Sequence, residues 1–231
     1  DVPDYPVHLF FTREGYFKKI TPQSLRMSGE QKLKEGDEIS QQNDSSNAAE
    51  LLFFTDRCQV YKAKASDFAD TKASVLGEYI PARLGMDEGE NAVFLAVTKD
   101  YEGYMLFFFE NGKAAKIELS AYATKTNRKK LIGAYSDKSP LACACQIAED
   151  TEFLLTSSQG RLLLFHTGAV AAKATRGAQG VQVMTLRKNA RVIRAVPYEE
   201  GMLQKPDRYR KAIPASGSLP APEETGEQLT L

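Results

Sequence analysis

One short wording recurs four times along this chain, and it limits the fold more than any other feature. It appears as Leu9–Ile20 (LFFTREGYFKKI), Leu52–Ala63 (LFFTDRCQVYKA), Leu106–Ile117 (LFFFENGKAAKI) and Phe153–Phe165 (FLLTSSQGRLLLF). Each copy reads as an apolar strand, a tight turn and a second strand. Gly15, Gly112 and Gly160 stand where such a hairpin needs a residue tolerant of positive φ. Cys58 takes that place in the second copy, which predicts a distorted turn or one of another type. The copies are spaced by 43 to 54 residues, about one propeller blade of four short strands. The apolar runs are short, rich in aromatic and β-branched residues, and bounded by turn residues, so a helical reading fits poorly. Only short helical pieces are expected, near Pro22–Leu25 and Ala65–Phe68. A radial all-β array is the leading architecture, with a β-sandwich as its alternative.

The bulk numbers exclude more than they assign. At 231 residues the chain has room for one large all-β domain or two ordinary ones. No apolar run approaches the roughly 20 residues of a spanning helix, so no membrane partner is expected. The start, Asp1-Val2-Pro3-Asp4-Tyr5-Pro6, has no initiator Met and no signal-peptide pattern, which suggests a piece of a longer chain. Three cysteines, Cys58, Cys143 and Cys145, form no disulfide framework and fit a reducing cytoplasm.

Thirty basic residues balance thirty acidic ones, yet their distribution is uneven. Lys113, Lys116, Lys125, Arg128, Lys129 and Lys130 are opposed locally only by Glu118. Arg161, Lys173, Arg176, Arg187, Lys188 and Arg191 form a second stretch with no acidic residue. Thr124–Lys130 is the strongest single candidate for presenting amides and cations to phosphates. The bland alternative is a solvated charged face. From Pro214 to Leu231 there are three prolines, three glutamates and no basic residue, which reads as a flexible acidic tail able to compete for the basic segments.

The repeat wording Thr–x–x–Gly–x–x–x–Lys–Ile, as in Thr12–Ile20, narrows the choice of array. So does the run Lys173-Ala174-Thr175-Arg176-Gly177-Ala178-Gln179-Gly180-Val181 after the fourth copy, and the absence of any Trp argues against WD40 blades. Over residues 7–196 the chain resembles the C-terminal domains of bacterial type IIA topoisomerase A subunits, those of gyrase and topoisomerase IV. The resemblance implies an all-β fold, a β-pinwheel: a propeller-like disc of about four to five blades with blade-swapped strands. Leu76–Pro81 falls where one blade crosses to its neighbour. It implies a pinwheel over 1–200 and an extension over 201–231, flexible from 214. The partners implied are double-stranded DNA, bent or wrapped along the rim, the catalytic domains of the same A polypeptide, and an ATPase B subunit. The fragment itself would be non-catalytic and without cofactor, with ATP and magnesium serving the full cytoplasmic enzyme.

The DNA-binding candidates are Lys18, Lys19, Arg26, Lys32, Lys62, Lys113, Lys116, Lys125, Arg128, Lys129, Lys130, Arg161, Lys173 and Arg176. One departure matters. Gyrase A subunits carry a Gln-Arg-Arg-Gly-Gly-Lys-Gly box, whereas the matching region here, Leu25–Leu33, keeps one Arg and one Gly and adds Glu30. A topoisomerase IV-like role fits that degenerate box better than chiral wrapping does.

Other chemistry finds little support. His8 and His166 are far apart, Cys143-x-Cys145 lacks a second pair for zinc, and no Walker loop, nucleophile elbow or metalloprotease helix is present. Two further readings remain open: a propeller that binds a protein partner through its basic loops, and, more remotely, a propeller hydrolase.

Overall fold

The strand–turn–strand units expected from the repeats all form, and each gains further strands. The computed structural model describes residues 1–126 and 128–224. The first repeat gives β1 (Pro6–Thr12) and β2 (Tyr16–Ile20), followed by helix α1 (Pro22–Met27) and β3 (Ile39–Ser46). The second gives β4 (Glu50–Thr55), β5 (Gln59–Lys64), β6 (Asp70–Thr71), β7 (Glu78–Tyr79), helix α2 (Ile80–Arg83) and β8 (Ala92–Thr98). The third gives β9 (Tyr104–Phe109), β10 (Lys113–Glu118), β11 (Lys130–Ile132) and β12 (Leu141–Ile147). The fourth gives β13 (Glu152–Ser157), β14 (Leu162–His166), β15 (Ala172–Lys173), β16 (Val181–Gln182) and β17 (Val192–Pro197). The short pieces read as helical are α1, which starts at Pro22 under a Thr21 cap, and a single 3-10 turn over Ala65–Asp67.

The fold is all-β, and its described residues divide into two compact units. One comprises residues 1–101 with 122–134, the other 102–121 with the chain from 135 onward. Each unit contains two blade-like sheets built on the same plan. The repeat hairpin lies at the centre, a third strand pairs with the first, and a crossing segment pairs with the second.

That crossing segment always comes from further along the chain than the hairpin it joins. The second strand of a hairpin would otherwise leave a row of unpaired N–H and C=O groups. In the first blade, β6 pairs parallel with β2 at Lys19↔Asp70, and β7 pairs antiparallel at Phe17↔Glu78. In the second, β11 pairs with β5 at Leu131↔Val60. In the third, β15 and β16 repeat the first blade's pattern on β10, at Lys116↔Ala172 and Ala114↔Val181. These are the swapped strands expected of a pinwheel, and Leu76–Pro81 does sit at a crossing.

The fourth blade takes its crossing segment from the C-terminal stretch. Leu164 bridges Arg210 in parallel and Leu162 bridges Ser218 in antiparallel, the same two hairpin positions used by the other crossings. Leu162 and Ser218 exchange both backbone hydrogen bonds, at 2.8 and 2.9 Å. Leu203 and Tyr209 pack with Leu154, Leu162 and Leu164. Arg210, Ala215 and Ser218 are thus paired with the fourth-blade region, and Leu203 and Tyr209 pack on it. The remainder of the acidic tail, 225–231, lies outside the described residues.

The crossings explain three glycines. Gly77, Gly180 and Gly217 each precede the antiparallel bridge with φ of +94°, +81° and +77°. A Cβ would meet a carbonyl oxygen of the receiving strand at 2.6, 2.1 and 2.7 Å respectively. The chain thus passes so close over the hairpin that only glycine fits.

Alternation along the hairpins places the core. In one unit, Leu9, Phe11 and Phe17 of the first blade pack on Leu51, Phe53 and Tyr61 of the second. In the other, Leu106, Phe108 and Ala114 of the third blade pack on Phe153, Leu155, Leu163 and Phe165 of the fourth. The equivalent faces meet in both, with Phe11–Phe53 at 5.7 Å and Phe108–Phe153 at 5.3 Å between ring centroids. The Cys58 turn departs from expectation. Its hairpin keeps the register of the others, Phe54↔Val60 matching Phe11↔Phe17, because Cys58 itself adopts φ +55°.

The crossing of 214–218 makes a direct prediction. Gly217→Ala combines positive-φ strain of about 1–2 kcal/mol with overlap against Leu162. Gly160→Ala, where a Cβ meets nothing within 4 Å, carries the strain alone. Chemical denaturation is expected to show the larger loss for Gly217→Ala; equal losses would mean the segment is not held on the blade.

Candidate nucleic-acid interface

Lys18 and Lys19, adjacent on β2, point to opposite faces of the sheet, yet both are internal. Lys18, Lys19 and Lys116 are 1%, 3% and 4% exposed. The Lys18 amine donates to the carbonyls of Ala73 at 3.0 Å and Val75 at 2.9 Å, fastening β2 to the crossing segment. Burial lowers its pKa. Lys19 donates to Asn47 Oδ1 at 2.6 Å and to the Ala65 carbonyl at 3.0 Å, and it pairs with Asp70. Lys116 repeats that arrangement with Asp150 at 2.8 Å and the Thr167 carbonyl at 3.2 Å. These three expected phosphate contacts are corrected: their charges are satisfied inside the protein.

The other candidates fall into two classes. Arg26, Lys32, Lys125, Arg128, Lys129, Lys130 and Lys173 are all exposed. Lys62, Lys113, Arg161 and Arg176 are half-buried. Arg161 donates to the Gly217 carbonyl at 2.7 Å and Arg176 to the Ala121 carbonyl at 3.0 Å, so both hold backbone with part of the guanidinium. The first basic stretch is also divided, since Lys113 and Lys116 belong to one unit and Lys125–Lys130 to the other.

The exposed cations concentrate in the segment that leads into β11. Lys62 N donates to the Lys129 carbonyl at 2.7 Å. The Lys62 amine reaches the Tyr122 carbonyl at 2.9 Å and Thr124 Oγ1 at 3.0 Å, with the Tyr101 ring 5.3 Å away. Burial lowers the Lys62 pKa. Lys62 is therefore a positioning residue that ties the basic segment onto β5. Between them opens a cleft of about 340 Å³, edged by Lys64, Arg128 and Lys129. Lys64, exposed at the end of β5, extends the basic surface and was not among the sequence candidates. Asn127, within the expected loop, lies outside the described residues.

β5 is itself anchored by a carboxylate that sequence reasoning missed. Glu90 is 2% exposed and accepts from Thr55 Oγ1 at 2.6 Å, Gln59 Nε2 at 2.8 Å, Tyr61 Oη at 2.9 Å and Asp87 N at 3.0 Å. Burial alone would raise its pKa, but these hydrogen bonds and nearby Lys130 outweigh it and hold the carboxyl below its ordinary value. Burial and Glu90 together push the Tyr61 phenol up to about 12. In the C-terminal segment, Glu223 pairs with Lys205 at 2.7 Å and Glu224 accepts from Gln204 N at 2.9 Å. Two of the tail's three carboxylates are thus already engaged. Among the described residues no cluster of His, Cys, Asp or Glu could hold a metal, and no helix is long and apolar enough to cross a membrane.

Because its folded pKa lies below the ordinary 4.5, Glu90 contributes stability that is present above that value and lost as pH falls through the folded one. Glu90→Gln is expected to cost about 2 kcal/mol at neutral pH and to flatten the acid limb of the stability curve. Urea denaturation between neutral pH and pH about 3 tests this; an unchanged acid limb would remove Glu90 from that role.

The comparisons with known proteins fit this geometry. A family model described as the DNA gyrase C-terminal domain, a β-propeller, matches residues 151–198, which span the fourth blade from β13 to β17. The A polypeptide of DNA topoisomerase 4 from Staphylococcus aureus is 24% identical over 191 residues, covering 80% of this chain. The chain spans about a quarter of the length of the curated relatives it matches. Among solved structures, the C-terminal domain of DNA topoisomerase IV superposes with a TM-score of 0.74 at 23% identity, over 87% of this chain and 63% of that one. The C-terminal domain of E. coli ParC gives 0.67 at 12% identity, over 95% of both chains. A DNA gyrase A C-terminal domain gives 0.59 at 17% identity, over 92% of this chain and 76% of that one. The fold is the β-pinwheel of these domains, and the family to which the repeat motifs point is the one the comparisons return.

Proposed function

We propose that this chain is the duplex-binding, DNA-bending C-terminal domain of the A subunit of a bacterial type IIA topoisomerase. The observation that carries the reading is the exposed set Lys125, Arg128, Lys129 and Lys130, held by Lys62 and β5 on the segment that enters an edge strand. Strand edges and loops of this kind offer cations and amides to phosphates, with no recognition helix to read bases. Affinity then rests on counterion release, and preference among sequences on the ease of bending. Strand breakage, the catalytic tyrosine, ATP and magnesium belong to domains outside this chain, elsewhere on the A polypeptide and on an ATPase B subunit. Such an enzyme works in the cytoplasm, on the chromosome. Arg26 and Gly29 are what remains of a gyrase-type box, and Glu30 opposes them, so relaxation and decatenation suit the enzyme better than negative supercoiling.

The test is duplex binding across a salt series. Log affinity is expected to fall linearly with log salt, and Arg128→Ala with Lys129→Ala to flatten that slope by about 2, at about 0.9 per phosphate. Lys116→Met, which alters a buried amine, leaves the slope unchanged. No binding at low salt would favour instead a propeller that engages an acidic protein partner.

A further inference from the structure

The crossing strands share a second regularity besides their glycines. The residue opposite the first position of each hairpin's second strand is Tyr79 in the first blade, Ile132 in the second and Gln182 in the third. Leu219, next to the Ser218 bridge, holds that place in the fourth. Three of these four are large and apolar yet exposed: Tyr79 by 41%, Ile132 by 74% and Leu219 by 53%. Isolated apolar side chains on a surface need no explanation by themselves. Recurrence at one register position on an edge strand, in repeats otherwise divergent, does.

Ile132 has the most specific setting. It ends β11, and Lys130, two residues earlier, points to the same face. Arg128 and Lys129 precede it, all exposed. A protein-binding patch would be contiguous and apolar at its centre; here a single exposed aliphatic group follows three exposed cations in the chain, Arg128, Lys129 and Lys130. That combination suits a duplex, where cations grip phosphates on both sides of a groove and an apolar group enters between base steps.

We propose that Ile132 is a wedge that enters the minor groove and opens a base step, so that the edge of the second blade bends duplex DNA as well as holding it. The proposal rests on the DNA-binding reading above. On this account the cations set affinity, and Ile132 sets the bend.

The experiment uses the whole chain and a duplex of about 30 base pairs, with a dye pair at its ends and a stacking-sensitive fluorescent base inside. Val93→Ser serves as control: Val93 is 44% exposed but lies on β8, at the opposite edge of the same sheet. The expected result is that Ile132→Ser binds within about threefold of the unaltered chain at an unchanged salt slope. It loses most of the end-to-end shortening and most of the unstacking signal, whereas Val93→Ser keeps both. If Ile132→Ser bends and unstacks DNA as the unaltered chain does, or if Val93→Ser loses as much, the wedge is overturned while DNA binding stands. If the unaltered chain binds no duplex at low salt, the functional reading falls and the wedge with it.

Discussion

The structure depends on one constraint: the second strand of every hairpin must find a backbone partner that its own repeat does not supply. Each blade meets it with a segment from further along the chain, placed by a parallel bridge, an antiparallel bridge, or both. The requirement fixes which positions are glycine, because the incoming chain runs against carbonyls of the receiving strand. It also fixes the use of the repeated lysines. Lys18 grips the crossing segment directly, while Lys19 and Lys116 bind carbonyls and a carboxylate at the bends that launch such segments.

The contrast between buried and exposed lysines governs the functional surface. A buried ammonium is tolerable only when its donors are met, and Lys19 and Lys116 meet theirs with oxygens of the protein. Such groups have nothing to offer a phosphate. In the fourth blade Leu164 stands at the equivalent place, and its surroundings are apolar: Leu154, Leu203 and Tyr209. Charge in the repeat and grease in its last copy therefore answer to what packs alongside.

Much of the fold was legible in the sequence, for a definite reason. Hairpins are local, and the alternation in LFFTREGYFKKI with its turn glycine defines one without reference to the rest of the chain. The crossing at Leu76–Pro81 was readable through the family resemblance rather than from the repeat itself. Its counterpart at Gly217-Ser218-Leu219 was hidden by neighbouring prolines and glutamates, a composition that resembles a loose tail. Only the bridge to Leu162 reveals it, although the glycine before the bridge, shared with Gly77 and Gly180, was a usable signal. The candidate site was half legible. Lys125 and Arg128–Lys130 lie in a polar loop and are exposed, whereas YFKKI gives no hint that both its lysines are internal. Cys58 misled in the other direction, since the pull of a shared register outweighs the strain of a left-handed cysteine.

Borrowing each outer edge from later in the chain also sets a timetable. As the chain leaves the ribosome, the first hairpin can form early but keeps an open edge until residues 70–79 have emerged. The second waits for residues 130–132, the third for 172–182, and the fourth for 210–218. Folding must therefore trail synthesis by one blade throughout, with one unsatisfied edge handed forward at every step. A nascent chain stalled before Ser218 would present that edge on β14, open to pairing with any extended strand nearby.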